Sequence, residues 1–347
     1  MAKNNYETLE EQIGNSGDNE SQGLGRLSRP ESYGGKSGLD SDEQKSLDKF
    51  MSRTRKTETK NEEVRIADGW IPINLDDMGV RSLFYPVNWK FSVRAATVQA
   101  VKNWTSIDET RPDQVNNAFN DIIKQCVHID TNEPVGAGWA QINSWDRFWF
   151  ICKVRETTFA KGEYNIEFND LCSECDSEIK YKLTSDALFY EFPDEDIIEK
   201  YWDSESGEWH IDPQEYGVDA DPIVLYTPKL GKDSAIIDWA TARARNGQKI
   251  DETFIKFLTW MLNKPSRDMQ ILSKQIQKCQ DEYKSWDVPT FSFVNEVIDN
   301  ITINQSEKLK AICPVCGEAS TASVQFPQGI RALFDNTGTT RKKFGSR

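Results

Sequence analysis

The sequence is poor in the residues that most enzymes use for acid–base chemistry. Among 347 residues it has only two histidines, His128 and His210, and neither has a plausible nucleophile beside it in the sequence. The phosphate-binding P-loop, the GxGxxG dinucleotide motif and the HExxH metalloprotease motif are all missing. These absences predict a protein with a non-enzymatic function.

Long apolar runs are missing as well. No stretch of about 18 apolar residues occurs, which excludes a transmembrane helix of that kind. The first thirty residues are polar and rich in glycine and serine, so we also expect no secretory signal. Seven cysteines are present, an odd number, and four of them form two CxxC pairs. This pattern indicates metal ligation in a reducing compartment rather than a disulfide framework.

Negative charge dominates the chain but is unevenly distributed. The 42 Lys and Arg residues face 56 Asp and Glu residues, which gives a net charge of −14. Residues 1–63 carry 10 basic and 13 acidic side chains, and residues 191–221 carry 12 acidic side chains against Lys200 alone. The remainder holds 31 charges of each sign. A neutral body without a basic patch argues against general binding to nucleic-acid phosphates.

Composition divides the chain into six predicted parts. They are a disordered polar tail (1–65), an α+β domain that ends in the first CxxC hairpin (66–190), an acidic insert (191–222), a mainly helical domain (223–307), a second CxxC hairpin with a hydrophobic end (308–334) and a flexible basic tail (335–347). In the first tail, Ser41 to Arg55 has helical apolar spacing. This spacing fits either a transient helix or a peptide that docks into a groove of a partner.

The acidic insert is interpreted as a solvated loop. It lacks the alternating ligands and central glycine of a calcium loop. Three aromatic residues are unexpected in a purely solvating segment, and we expect them to dock on a partner: Trp202, Trp209 and Tyr216.

Amphipathic helices and short extended segments are mixed along the folded part. Apolar spacing predicts helices near residues 92–104, 112–126, 233–246, 252–263, 267–286 and 291–301. Extended segments are predicted near 70–73, 81–86, 164–168, 179–183 and 223–226. The aromatic run 145–154 fits a buried strand or a buried helix equally well. The predicted fold class is therefore α+β, with mixed helices, short antiparallel strands and a split Cys₄ element like a zinc ribbon.

The two CxxC pairs, Cys172/Cys175 and Cys313/Cys316, each lie between two strand-like stretches. Two such hairpins facing each other would place four thiolates around one structural Zn²⁺. Zinc ribbons usually separate their pairs by about 15–20 residues, whereas 137 residues intervene here. Two unrelated reduced pairs are an alternative. A thioredoxin-like redox motif is disfavoured, because neither CxxC opens a helix. The other cysteines fall on apolar faces and are expected in the core: Cys126, Cys152 and Cys279.

Several motifs occur in an order that is similar to a known family. In chain order they are GVRSLFYP (79–86), WKFSVRAATVQAVKNW (89–104), a helix ending in IIKQC (122–126), WDRF (145–148), KVRETTF (153–159), the first CxxC, a helical middle (233–301) and CPVCGEASTASVQFPQGIRALF (313–334). Over 79–190 and 233–334 the chain resembles baseplate hub assembly proteins of T-even-type contractile-tailed bacteriophages. The family's turn usually reads Pro-Ser-x-Gly where this chain has Asp76-Asp77-Met78-Gly79. The polar tail and the acidic insert are interpreted as additions that bear on partner choice.

The resemblance implies a non-enzymatic structural or assembly protein at or near the baseplate hub. Its partners would be other phage baseplate or tail proteins, with a homo-oligomer in a symmetric ring as one arrangement, and no membrane. It would be located in the tail baseplate of the virion and in the host cytoplasm during assembly.

Two alternatives remain open from the sequence. The first is a zinc-ribbon transcription or replication factor that binds nucleic acid, which the basic end Arg341-Lys342-Lys343 would favour. The second is a hydrolytic enzyme with a metal site in the acidic insert, at Asp194, Glu195 and Asp196.

Overall fold

Helices make up much of the protein and follow the apolar periodicity of the sequence. The computed structural model describes residues 69–131, 138–160, 165–324, 326 and 329–334. In this part the α-helices span Val98–Thr105 (α1), Pro112–Cys126 (α2), Arg147–Thr158 (α3), Glu195–Tyr201 (α4), Leu230–Arg245 (α5), Glu252–Met261 (α6), Met269–Ser285 (α7) and Val288–Ile301 (α8). The predicted tails 1–65 and 335–347, with the helix predicted at Ser41 to Arg55, lie outside the described residues.

Short strands form small sheets in which the pairing is antiparallel. They span Ile71–Ile73 (β1), Lys90–Val93 (β2), Val127–Asp130 (β3), Glu167–Leu171 (β4), Glu178–Lys182 (β5), Leu188–Glu191 (β6), Trp202–Asp203 (β7), Glu208–Ile211 (β8), Ile223–Tyr226 (β9), Asn304–Ile312 (β10) and Ala319–Ser323 (β11). The sheet orders are β1-β2-β3, β11-β10-β6, β4-β5 and β7-β8-β9. This mixture confirms the predicted α+β class.

Helix α2 shows how well a periodic pattern determines a helix. Pro112 occupies the first helical position, where its missing N–H costs no hydrogen bond. Ile122, Ile123 and Cys126 lie on the face that packs into the core, and none of them is more than 2% exposed. The helix predicted near 112–126 is confirmed.

The aromatic run 145–154, for which strand and helix were equally compatible, forms most of α3. Trp149, Phe150, Ile151 and Cys152 are consecutive, and all four are buried. A helix buried on all sides has no polar face, so its sequence shows no period that distinguishes it from a buried strand.

The extended segment predicted at 81–86 is wrong for most of its length. Residues Leu75–Phe84 form a 3₁₀ helix with a kink at Gly79, whose φ of 56° and ψ of −138° fall where a side chain would be strained. The helical path turns the Arg81 side chain into the core, where its Nη1 donates to Asp146 Oδ1 at 2.8 Å. A long-range ion pair of this kind leaves no local signal in the sequence.

The helix predicted for 92–104 begins later than expected. Residues 90–93 are β2, the middle strand of the first sheet, and pair with β1 and β3. Helix α1 starts only after Thr97, whose hydroxyl accepts the N–H of Ala100 at 3.2 Å and caps the helix. Sheet pairing therefore overrides the helical spacing of the first residues.

The acidic segment is ordered structure and not the predicted solvated loop. It contains α4, β7 and β8, and it leads into β9. Its aromatic residues pack inside the molecule: the Trp209 ring lies 5.7 Å from that of Phe84, and the Tyr216 ring lies 5.2 Å from that of Phe293. Trp209 is fully buried. The expectation that these aromatics serve to dock a partner is therefore wrong for Trp209, and Trp202 likewise packs on Phe84 at 5.0 Å.

The hydrophobic end of the chain packs back against its first helix. Trp104 Nε1 donates to the carbonyl of Ile330 at 3.1 Å, and the Trp104 and Phe334 rings lie 5.2 Å apart. All described residues fall within one compact unit, while the finer domain boundaries remain predictions. In this part of the chain, no helix is both long and apolar enough to cross a membrane.

Candidate metal centre

Both CxxC pairs lie in the tight turns of β-hairpins, as their strand-like flanks predicted. Strands β4 and β5 pair with Leu171 opposite Glu178, and the first pair occupies the turn between them. Strands β10 and β11 pair with Ile312 opposite Ala319, and the second pair occupies that turn. Since β10 also pairs with β6, the second hairpin is built into a larger sheet.

The two turns have the same backbone hydrogen bonds. In the first, the N–H of Cys172 donates to the carbonyl of Ser177 at 2.8 Å, and the N–H of Asp176 donates back to Cys172 at 3.0 Å. The second turn repeats both bonds at the same spacing from Cys313, again at 2.8 and 3.0 Å. Two segments 137 residues apart in sequence have therefore adopted one local motif.

The turns bring all four cysteine sulfurs together. The Sγ atoms of Cys172 and Cys316 are 3.6 Å apart, as are those of Cys175 and Cys313. All four lie within 4.8 Å of one another. Four thiolates at about 2.3 Å from one zinc ion in a tetrahedron would be ~3.8 Å apart. The spacing is thus compatible with one shared metal ion, and the cysteines would need to move by less than an ångström or so.

The cluster joins the hydrophobic core on one side and reaches solvent on the other. Cys172 and Cys313 are each 1% exposed and belong to the core, whereas Cys316 is exposed. Four protein ligands fill a tetrahedral shell and leave no position for water or substrate. The arrangement therefore suits a structural metal and offers no catalytic position.

Local hydrogen bonds favour the thiolate form that a metal requires. The hydroxyl and the backbone N–H of Ser177 lower the pKa of Cys175 to about 6. The backbone N–H groups of Cys316 and Val315 lower the pKa of Cys313. The N–H of Glu318 acts in the same direction on Cys316, but partial desolvation of the sulfur and the three neighbouring sulfurs raise the pKa of Cys316 to about 12. A bound cation would offset this repulsion among the sulfurs.

Each turn needs one residue with positive φ directly after its second cysteine. Gly317 has a φ of 78° in the second turn, and Asp176 has a φ of 55° in the first. Asp176 has the only positive φ outside glycine among the described residues. A Cβ on Gly317 would have no atom within 4 Å, so a substitution there changes only backbone strain.

We expect Gly317→Ala to lower the free energy of unfolding by about 1–2 kcal/mol, because alanine is strained at positive φ. Asp176→Gly should change it by less than about 1 kcal/mol, since relief of strain is offset by added freedom in the unfolded chain. Urea unfolding of the purified variants measures both effects. Gly138→Ala is the matched control, because a Cβ there would meet Ile129 at an ordinary contact distance of 3.8 Å and Gly138 has no positive φ. Equal midpoints for Gly317→Ala and the control would contradict the role assigned to this turn.

The remaining cysteines lie away from the cluster, in the core, as predicted. Cys126, Cys152 and Cys279 are at most 9% exposed. Burial raises the pKa of each thiol. Protonated buried thiols behave as small apolar side chains, so these three residues contribute packing.

Carboxylates and histidines form no comparable site in the part of the chain that the structure describes. The four-cysteine cluster is the only group of metal-ligating side chains found there, so Asp194, Glu195 and Asp196 do not converge on a metal position. His210 is an exposed partner of Glu208 at 3.7 Å. The ring of His128 packs on Trp70 at 5.6 Å. The hypothesis of a hydrolytic metal site in the acidic segment gains no support.

One feature that sequence reasoning missed is a cleft of about 860 Å³ between Trp89, Trp202 and the start of α5. Lys232 lies on its wall and is 3% exposed, and its Nζ donates to the carbonyls of Tyr226 and Thr259. Burial lowers the pKa of Lys232 to about 7. Because Thr259 lies in the last turn of α6, the bond to its carbonyl satisfies a helix end and holds α5 against α6, while the bond to Tyr226 ties α5 to the end of β9. Residues so far apart in sequence leave no shared pattern to detect.

Comparison with protein families gives one match. Residues 82–221 match the family described as T4 bacteriophage base plate protein, which supports the T4-type phage baseplate family that the order of motifs predicted. The matched range contains Cys172 and Cys175 and runs through the acidic segment to residue 221. The range does not include residues 233–334, for which the resemblance remains a prediction. Searches of curated proteins and of solved structures found no match.

Proposed function

We propose that the chain acts at or near the baseplate hub as a non-enzymatic structural or assembly component. Its residues 82–221 match a T4-type phage baseplate protein family. The observation that carries this proposal is the family match. In this view the chain binds other baseplate subunits and is folded around one structural Zn²⁺ held by Cys172, Cys175, Cys313 and Cys316.

Zinc is the metal that the donor set favours. Four thiolates are soft ligands, and a tetrahedral S₄ site selects zinc or an iron–sulfur centre over magnesium or calcium. The sulfur spacing of 3.6 Å in two pairs fits a single ion at the centre. One ion shared by both hairpins would join two segments that are far apart in sequence, and its binding free energy would add to the stability of the fold.

A non-enzymatic role is supported by the baseplate family and by the character of the cluster. A Cys₄ centre has no open coordination position at which a substrate is activated. We therefore assign the chain a role in binding and shape.

The nucleic-acid alternative receives no support from the family match. The residues that would favour it, Arg341-Lys342-Lys343, lie outside the described part of the chain. The body is electrically balanced and the segment 191–221 is strongly acidic, which opposes contact with phosphates.

Quantitative mass spectrometry of purified phage particles and of tail assembly intermediates tests the proposal. We expect the chain in baseplates or in their intermediates, at a fixed ratio to other baseplate proteins, and present in the host cytoplasm during assembly. Its absence from every particle and intermediate, while other baseplate proteins are detected, would contradict the proposal.

A further inference from the structure

The ends of the two cysteine hairpins expose large apolar side chains to solvent. We refer to residues 170–178 and 312–318 together as the knuckle tip. Leu171 is 61% exposed, Ile312 is 72% exposed and Val315 is 71% exposed. These exposed fractions are high for large aliphatic side chains. The three side chains therefore contribute little to the packing of the core.

The three apolar residues are grouped by the cysteine cluster itself. Leu171 directly precedes Cys172, Ile312 directly precedes Cys313, and Val315 directly precedes Cys316. Consecutive Cα atoms are about 3.8 Å apart, and the four sulfurs lie within 4.8 Å of one another. All three exposed side chains are therefore carried by residues that flank the one cluster of four sulfurs, and the paired turns hold their backbone in place.

The knuckle tip is rich in carboxylates and lacks basic residues. The knuckle tip contains no lysine or arginine and five acidic residues: Asp170, Glu174, Asp176, Glu178 and Glu318. The first four are exposed. The nearest lysine along the first hairpin, Lys180, forms its ion pair with Glu167 at 2.6 Å, at the far end of the strand pair. The negative charge of the tip is therefore not balanced within the two turns.

We propose that the knuckle tip is a docking surface for another protein of the baseplate, which receives the three apolar side chains in a shallow apolar pocket rimmed by lysine or arginine. This inference rests on the proposed function. Exposed apolar groups gain free energy when a partner covers them. The surrounding carboxylates select a basic rim and steer the approach of the partner. The same carboxylates repel nucleic-acid phosphates and anionic lipid surfaces, so a protein is the class of partner that fits.

Residues of the knuckle tip can be replaced to test docking without disturbing the folded core. Leu171, Ile312 and Val315 point away from the core, so their replacement should leave the cysteine cluster intact. Two variants examine the two halves of the argument. Leu171→Ser, Ile312→Ser and Val315→Ser combined remove the apolar area, and Glu174→Lys with Glu178→Lys reverses part of the rim. The control combines Val98→Ser and Val288→Ser, two valines that are 73% and 76% exposed at helix starts elsewhere.

The experiment supplies each full-length variant to cells infected with phage lacking its own copy. Thermal unfolding and zinc content of the purified chains establish that each variant is folded. The amount of the chain per baseplate or assembly intermediate is then measured by quantitative mass spectrometry. We expect both tip variants to be incorporated at least about tenfold less than the unaltered chain, as for loss of interface anchors. The control should be incorporated normally.

The possible results have distinct meanings. Folded, metal-bound tip variants that are incorporated as well as the control would overturn the docking inference and leave the proposed function standing. Absence of the unaltered chain from all particles and intermediates would instead remove the proposed function. A third variant, with Arg341, Lys342 and Lys343 changed to Glu, tests whether the tip is covered by the chain's own basic end. If the variant of the basic end shows the same loss of incorporation as the tip variants, the chain's own basic end covers the tip, and docking on a partner is overturned. If the variant of the basic end is incorporated normally, the result supports a basic partner.

Discussion

Removal of the metal, or the substitution Cys313→Ser, is expected to lower the free energy of unfolding by about 4 kcal/mol or more. A ligand present at a thousand times its dissociation constant stabilises the folded state by about 4.1 kcal/mol. Structural zinc sites usually bind zinc more tightly than this, so about 4 kcal/mol is a lower bound. For a unit of this size the loss corresponds to a decrease in Tm of roughly 8–16 °C. The expected result follows from the proposal that both hairpins share one ion.

The effect should reach beyond the turns, because the cluster is joined to the core. Cys172 and Cys313 are 1% exposed and pack among the buried apolar residues. Serine at position 313 would leave only three thiolate ligands, too few to retain the ion, and would place a hydroxyl in an apolar setting. Strand β10, which begins at Asn304 and ends at Ile312, pairs with both β6 and β11, so loosening of the second turn would weaken the end of that sheet.

Metal analysis and thermal unfolding of the purified chain measure both parts of this prediction. We expect one zinc per chain, and complete loss of it in Cys172→Ser as well as in Cys313→Ser, since either change breaks the same site. Cys279→Ser is the matched control, because Cys279 is buried in the core and lies outside the cluster; it should keep its zinc. Retention of half the metal in each single variant would indicate two separate sites, and no metal in the unaltered chain would refute the zinc proposal.

The sequence predicted elements whose signal is local and regular. Helix α2 was predicted correctly because one face is continuously apolar and Pro112 marks its first turn. The convergence of the cysteine pairs was predicted because a strand–CxxC–strand pattern has one common structural outcome. The shared turn with positive φ at Asp176 and Gly317 also follows from that pattern, although glycine marks only the second turn.

Elements that depend on distant contacts were not predictable in this way. The segment 81–84 is helical rather than extended in a structure where Arg81 meets Asp146, 65 positions further along the chain. The acidic segment was interpreted from its charge, yet Trp209 and Ile211 anchor it in the core. The many acidic residues of this segment account for its exposed side chains. Composition does not show that alternate residues of a short strand such as β8 point into the core.

The buried ion pair between Arg81 and Asp146 leads to the second large expected effect. Arg81 is 4% exposed and Asp146 is fully buried. Asp146 accepts hydrogen bonds from Arg81 Nη1 at 2.8 Å and from the Tyr85 hydroxyl at 2.7 Å. The guanidinium also lies over the ring of Tyr190, at 4.3 Å from its centroid. Burial raises the pKa of Asp146 to about 6, while the charge of Arg81 acts to lower it.

Asp146→Ala is expected to lower the free energy of unfolding by about 3–5 kcal/mol, because it leaves the Arg81 charge buried without a counter-charge. Tyr85 would lose its acceptor but would keep the bond that its oxygen accepts from the N–H of Asn143 at 3.0 Å. Urea unfolding of the full-length chain measures the change. Asp299→Ala is the matched control, since Asp299 pairs with Lys256 at the surface, where both side chains are about half exposed; its cost should be under about 1 kcal/mol.

A double variant separates two contributions to the lost free energy of unfolding: the unpaired charge of Arg81 and the loss of packing at position 146. Arg81→Met with Asp146→Leu replaces both charges by apolar groups, and such replacements of buried ion pairs are often neutral or stabilising by about 1–4 kcal/mol. We therefore expect the double variant to unfold at a higher urea concentration than Asp146→Ala alone. The alternative result is a double variant whose loss of stability equals the sum of the losses from the Arg81 and Asp146 changes made singly. The lost free energy then comes from packing and hydrogen bonds around Tyr85 and Tyr190. In that case the ion pair itself contributes little, and the helical path of residues 75–84 is determined by the apolar contacts of Met78 and Phe84, which are 1% and 3% exposed.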